Sequence, residues 1–121
     1  MSMILVVEDT LTQAEIIIAC LRNAGFTTVL AMSSDEARSK INQQKPSAIV
    51  LDVIMPKESG FELCRDLKDK PETKDIPIVL CSTKSSEMDK FWGMKQGASA
   101  YLTQPVDTAE LVRTIKLLVK D

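Results

Sequence analysis

The sequence predicts an α/β fold: a five-stranded, parallel, doubly wound sheet with five helices on its two faces. Two observations carry this. Short apolar runs alternate five times with stretches whose apolar residues recur at three- and four-residue spacing. The connections between them are short and marked by Gly, Pro, Ser or Asp. Such alternation leaves right-handed crossovers within one parallel sheet as the natural topology. A chain of 121 residues fills one core and not two, so a single domain over residues 1–121 is expected, with no second domain after it.

The elements follow in order. Met3–Val7 is a continuous apolar run, as in a strand buried on both faces, and it ends at Glu8-Asp9. A helix is expected over residues 11–24, with Ala14, Ile17, Ile18 and Leu21 on one face. Thr10 or Asp9 can cap its start, and Gly25 its end. Residues 26–32, rich in Thr and Val, form a second strand. Ser33 with Glu36 three positions on is a capping-box-like start for a helix to about Gln44, which Lys45-Pro46 breaks. Ala48–Asp52 is the third strand, followed by Met55-Pro56 and a helix over 59–69 carrying Phe61, Leu63, Cys64 and Leu67. Residues 70–75 are a polar loop, 77–82 a fourth strand, and 87–96 a helix ended by Gly97. A fifth strand spans 99–103, Gln104-Pro105 follows, and Asp107 caps a last helix with Leu111, Ile115 and Leu118 at helical spacing.

Composition narrows the chemistry. Apolar residues are 45% and charged residues 26%, with a net charge of −2, so bulk electrostatics provides no basis for nucleic-acid or membrane binding. There is no signal-peptide pattern and no apolar stretch of membrane-spanning length, and a cytoplasmic location is expected. Cys20, Cys64 and Cys81 are few, far apart and unaccompanied by any histidine, as small buried hydrophobes would be. Without an imidazole, triads and histidine–zinc sites are excluded, and any chemistry must run on carboxylates, hydroxyls, amines and backbone.

In open α/β sheets ligands bind beyond the carboxyl ends of the strands. Those ends deliver Glu8 and Asp9, then Asp52, then Ser82 and Thr83, then Thr103 and Gln104. Like charges about 5 Å apart at an effective dielectric near 20 cost roughly 3 kcal/mol per pair. A hard cation that takes oxygen ligands offsets that cost. A carboxylate beside such a cation can attack phosphorus and become an acyl phosphate. On this reading Asp52 is the nucleophile, Ser82 donates to a phosphoryl oxygen, and the backbone N–H groups of Val53 and Thr83 are further donors. An Asp-nucleophile phosphatase would place a D-x-D arrangement after the first strand, where this chain has Glu8-Asp9-Thr10. That acidic loop also argues against a flavin-phosphate site.

Together these residues resemble the response-regulator receiver domain of two-component signalling over essentially the whole chain. The motifs are Glu8-Asp9, Asp52-x-x-Met55-Pro56-x-x-x-Gly60, Ser82, Tyr101 and Pro105. The resemblance implies a flavodoxin-like sheet of order 2-1-3-4-5, with Pro56, Gly60 and Pro105 as structural turn residues. It implies Asp52 as phosphoacceptor, and Mg²⁺ (or Mn²⁺) held by Glu8, Asp9, Asp52 and the carbonyl of Ile54, with Glu8 acting through water. Ser82 becomes the hydroxyl switch and Tyr101 the aromatic coupled to it, with Thr83 and Gln104 beside the phosphoryl group. The partners implied are a sensor histidine kinase or phosphotransfer protein and a downstream protein target, with no direct nucleic-acid contact and no membrane insertion. The protein would be a phosphoacceptor assisting its own phosphorylation and dephosphorylation, not an enzyme acting on other molecules. The output face of the family is helix four, strand five and helix five, here including Met88, Phe91, Trp92, Met94 and Lys95. The stretches 81–84 and 91–98 are similar to stand-alone receivers of pilus-motility and phototaxis systems.

One position departs from the family pattern. Receivers carry a Lys before the proline that follows strand five, and here that residue is Gln104, a hydrogen-bond donor without charge. The alternative this suggests is a degenerate receiver that binds its partner largely constitutively.

Overall fold

The computed structural model describes residues 2–119. Its strands and helices alternate: β1 (Met3–Val7), α1 (Leu11–Asn23), β2 (Thr27–Ala31), α2 (Ser34–Gln43), β3 (Ala48–Asp52), α3 (Gly60–Lys68), β4 (Ile78–Ser82), α4 (Glu87–Lys95), β5 (Ala100–Thr103) and α5 (Thr108–Leu118). All pairs are parallel, and the sheet order is β2-β1-β3-β4-β5, as the resemblance implies.

Period-two alternation divides the core between the two faces of the sheet. Leu5, Val7, Ile49, Leu51, Ile78 and Leu80 point to one side, where Ala37 and Ile41 of α2 and Leu63, Cys64 and Leu67 of α3 cover them. Ile4, Val6, Val50 and Val79 point to the other, against Ile17 and Leu21 of α1 and Leu111 and Ile115 of α5. Each such aliphatic side chain stabilises the fold by about 1.5–3 kcal/mol on burial. β1, β3 and β4 are buried at every position, whereas β2 is partly exposed, because it is an edge strand.

The caps explain most boundaries. Ser33, Ser59, Ser86 and Asp107 each accept a hydrogen bond from a backbone N–H three residues on. Thr10 occupies the N-cap of α1 without a side-chain bond. After α1, Gly25 has φ 97, its N–H donates to the Arg22 carbonyl at 3.0 Å, and the Phe26 N–H donates to Leu21 at 3.1 Å. That pattern ends a helix in the left-handed region, and it takes Phe26 into the turn, so β2 starts one residue later than expected.

One ion-pair network ties α2 to the segment after β3. The Arg38 guanidinium donates to both Glu58 oxygens at 2.8 and 2.9 Å, and to Asp66 of α3 at 3.0 and 3.1 Å. Its bond with Glu58 holds the Arg38 guanidinium charged well above its ordinary range and holds the Glu58 carboxyl below its own. The Asp66 carboxyl is lowered by Lys70 first and by Arg38 second. A fork on two carboxylates is stronger than a simple surface pair, though solvent screens these half-exposed groups. Arg38→Met is expected to cost about 1–2 kcal/mol at neutral pH. Both carboxylates have depressed pKa values, so this contribution is present above their unfolded values and lost in acid. Urea unfolding of the two proteins at neutral and acidic pH measures it, and a penalty that grows on acidification would contradict the assignment.

Candidate functional site

The register puts three strand ends at one level. Val7 pairs with Leu51, and Asp52 with Cys81, so Glu8, Asp52 and Ser82 emerge together at the carboxyl edge of the sheet. Glu8 is 2% exposed and Asp52 8%, while Asp9 is half-buried. One carboxylate oxygen from each of the three lies within 4.8 Å of the others. The sequence brought these residues to the ends of β1 and β3, and the structure gathers them into one cluster.

The electrostatics of the cluster are unbalanced. Among the described residues, ion pairs are made by Arg38 and Lys70, and none reaches Glu8, Asp9 or Asp52. Glu8 accepts hydrogen bonds from the Thr10 N–H at 3.2 Å and the Gln104 side-chain amide at 3.4 Å. Burial, and then the Glu8 charge and hydrogen bond, push the Asp52 carboxyl up to about 7; the Ile54 backbone N–H pulls the other way, and Asp9 adds to the rise. Hard oxygen donors with no cationic side chain among them fit a divalent cation of the Mg²⁺ kind in donor type and in charge. The Ile54 residue itself is half-exposed beside this cluster.

Around the acids lie the hydroxyl and aromatic residues. Ser82 is fully buried, and its Oγ accepts from the Lys84 N–H at 3.0 Å. The Tyr101 hydroxyl donates to the Lys84 carbonyl at 2.6 Å, and burial raises its pKa. Lys84 is therefore a backbone link between Ser82 and Tyr101. Thr83 is exposed at the mouth. Gln104 donates its N–H to the Ser82 carbonyl at 2.8 Å and precedes a cis peptide to Pro105. The Val53 N–H, expected as a further donor to the phosphoryl group, donates instead to the Cys81 carbonyl at 3.1 Å, the bond that completes the Asp52–Cys81 pair of β3 and β4. Burial pushes the Cys81 thiol up to about 12, in keeping with an inert packing role.

The turn residues hold Asp52 from behind. Met55 is buried and Pro56 exposed in the connection to α3. The Gly60 N–H donates to the Val53 carbonyl at 2.9 Å, and a Cβ at Gly60 would collide with the Asp52 carbonyl oxygen. The Arg38–Glu58 fork clamps this same connection. Sequence reading missed it, since residues 20 and 28 positions apart carry no local signal of contact.

The residues of the expected partner face are exposed: Met88 by 74%, Phe91 by 57% and Trp92 by 53%. The Lys95 ammonium lies 5.6 Å from the Phe91 ring centroid. Only Gly93 of α4 is buried. Trp92 and Lys95 border a groove shared with Arg65 and Lys68 of α3, so they sit on the α3 side of the helix.

Known proteins share both sequence and fold with this chain. The response regulator receiver domain model matches residues 4–116. Protein PilH of Pseudomonas aeruginosa is 36% identical over 98% of each chain. The phosphate regulon transcriptional regulatory protein PhoB of the same organism is 37% identical, and the chain spans only 51% of its length. The chemotaxis protein CheY4 of Vibrio cholerae superposes with a TM-score of 0.91 at 27% identity, covering 98% of this chain and 99% of that one.

Proposed function

Since this chain belongs to the response regulator receiver domain family, we propose that Asp52 accepts a phosphoryl group and that the phosphorylated domain engages a protein target. The observation that carries this is the buried Asp52 carboxylate within 4.8 Å of Glu8 and Asp9, with no cationic partner among the described residues. A carboxylate oxygen of Asp52 attacks the phosphorus of a phosphohistidine on a sensor histidine kinase or phosphotransfer protein. The O–P bond forms as the P–N bond breaks, and the electron pair leaves with the imidazole nitrogen. Asp9 and Asp52 directly, Glu8 through water and the Ile54 carbonyl would hold Mg²⁺ or Mn²⁺, which supplies counter-charge to the phosphoryl oxygens.

The other residues position and read the group. Asp52 is held in place by its strand, by the Ile54 N–H and by the Gly60 contact behind it. Ser82 gives up its bond from the Lys84 N–H to donate to a phosphoryl oxygen, with Thr83 beside it. That change loosens the Lys84 carbonyl from Tyr101 and transmits the event to α4, β5 and α5. Met88 and Phe91 of α4 then meet the target, with Trp92 and Lys95 flanking them on the α3 side. In this reading the domain is a cytoplasmic phosphoacceptor that assists its own phosphorylation and dephosphorylation, of the motility or chemotaxis kind. The alternative of a largely constitutive binding module finds no support in the comparisons.

Incubation with acetyl phosphate and Mg²⁺, followed by intact-mass measurement, tests the assignment. One added phosphoryl group is expected in the wild type and none in Asp52→Asn. Undiminished labelling of the variant would place the acceptor elsewhere.

A further inference from the structure

We propose that Gln104 leaves the divalent cation as the sole counter-charge of the acid cluster, so that residue 104 sets how tightly Glu8, Asp9 and Asp52 hold a metal. This rests on the reading of Asp52 as a metal-assisted phosphoacceptor, and it adds a determinant of affinity that lies outside the ligand set.

Gln104 is built into the site at two points. Its backbone N–H is fixed on the Ser82 carbonyl at 2.8 Å. Its side-chain amide reaches across to Glu8 at 3.4 Å. The contact spans 96 positions of sequence, linking the segment after β5 to the end of β1. An amide donates a hydrogen bond but carries no charge. Three carboxylate oxygens lie within 4.8 Å of one another, and no ion pair reaches them among the described residues. An entering cation therefore relieves a repulsion that no side-chain charge offsets.

A Lys at position 104 would bring an ammonium to the same place. It would offset part of the repulsion before the metal arrives and repel the metal when it does. At a separation near 5 Å an ammonium opposes a dication by roughly tenfold in affinity even at the dielectric of bulk water, and by more where the site is partly desolvated. The substitution should then raise the stability of the metal-free protein and not that of the metal-loaded one, a split that a purely structural role of the side chain would not produce.

Calorimetric titration with MgCl₂ and melting with and without Mg²⁺ test this in the full chain, comparing wild type with Gln104→Met and Gln104→Lys. Gln104→Met, which keeps size and neutrality, should bind Mg²⁺ within about threefold of wild type, and Gln104→Lys at least about tenfold more weakly. Metal-free Gln104→Lys should melt above metal-free wild type, and the gap should close at saturating Mg²⁺. Equal Mg²⁺ affinity in Gln104→Lys and wild type, or a loss in Gln104→Met as large as in Gln104→Lys, overturns the inference and leaves the phosphoacceptor reading intact. Should Gln104→Lys fail to fold, Gln104→Arg carries the same comparison. Absence of Mg²⁺ binding in the wild type, or binding undiminished by Asp9→Asn, overturns the metal-assisted reading and this inference with it.

Discussion

In the absence of divalent cations, stability should fall as the pH rises from about 4 to about 7, and millimolar Mg²⁺ should restore it. Asp52 ordinarily titrates at 3.8, and burial beside Glu8 and Asp9 raises it to about 7. Between those values the folded chain keeps a proton that the unfolded chain has already released. The folded state then binds more protons, so stability declines with pH across this window and levels off above it. The loss is on the order of a few kcal/mol, a large part of the net stability of a domain of this size. Below the window other carboxylates take over: Glu58 and Asp66 have depressed values, so their contribution disappears only in stronger acid. Melting at about pH 5 and about pH 8, in EDTA and in MgCl₂, isolates the effect. Asp52→Asn removes the ionising group and should both flatten the metal-free profile and raise it at the higher pH. A metal-free midpoint that rises between the two conditions would mean that the three acids are not packed together in solution.

Gly60→Ala should destabilise the protein by about 3 kcal/mol or more, enough to abolish a sharp unfolding transition in a marginal domain. A Cβ there meets the carbonyl oxygen and carbon of Asp52 and the Cα of Val53. These are backbone atoms at the carboxyl end of a central strand, and they cannot rotate away. The relief available is a shift of α3 away from β3, which would open the core around Leu63, Cys64 and Leu67. Gly25→Ala is the comparison. Gly25 has φ 97, and a Cβ there has nothing within 4 Å, so only left-handed backbone strain is added. That variant should lose about 1 kcal/mol. Equal losses in urea midpoints would mean that α3 does not lie as close to β3 as the structure has it.

How much was legible in advance varies by element. β1, β3 and Ser82 at the end of β4 could be read from apolar runs, because central parallel strands are buried on both faces and tolerate no polar interruption. The caps Ser33 and Asp107 were legible because capping is a local event spanning three residues. The end of β2 was less sharp, since an edge strand rich in Thr shares its pattern with a turn. Of the site, Glu8, Asp9 and Asp52 stood out as charges closing apolar runs. The Arg38 fork, the Lys84 backbone link and the commitment of the Val53 N–H did not, since each is a contact between segments distant in sequence.

The sequence by itself determined the alternation of strands and helices and the residues that leave the sheet at its carboxyl edge, since periodicity, caps and breakers act over a few residues. Only the tertiary structure decided that three of those carboxylates meet within 4.8 Å, with a neutral Gln104 amide as the side chain that reaches them from β5. Strand register brings them together, and register is set by the packing of whole faces. The raised Asp52 pKa follows from the same cause: one charge on a strand end is a local fact, whereas the repulsion among three depends on distances that no stretch of sequence contains.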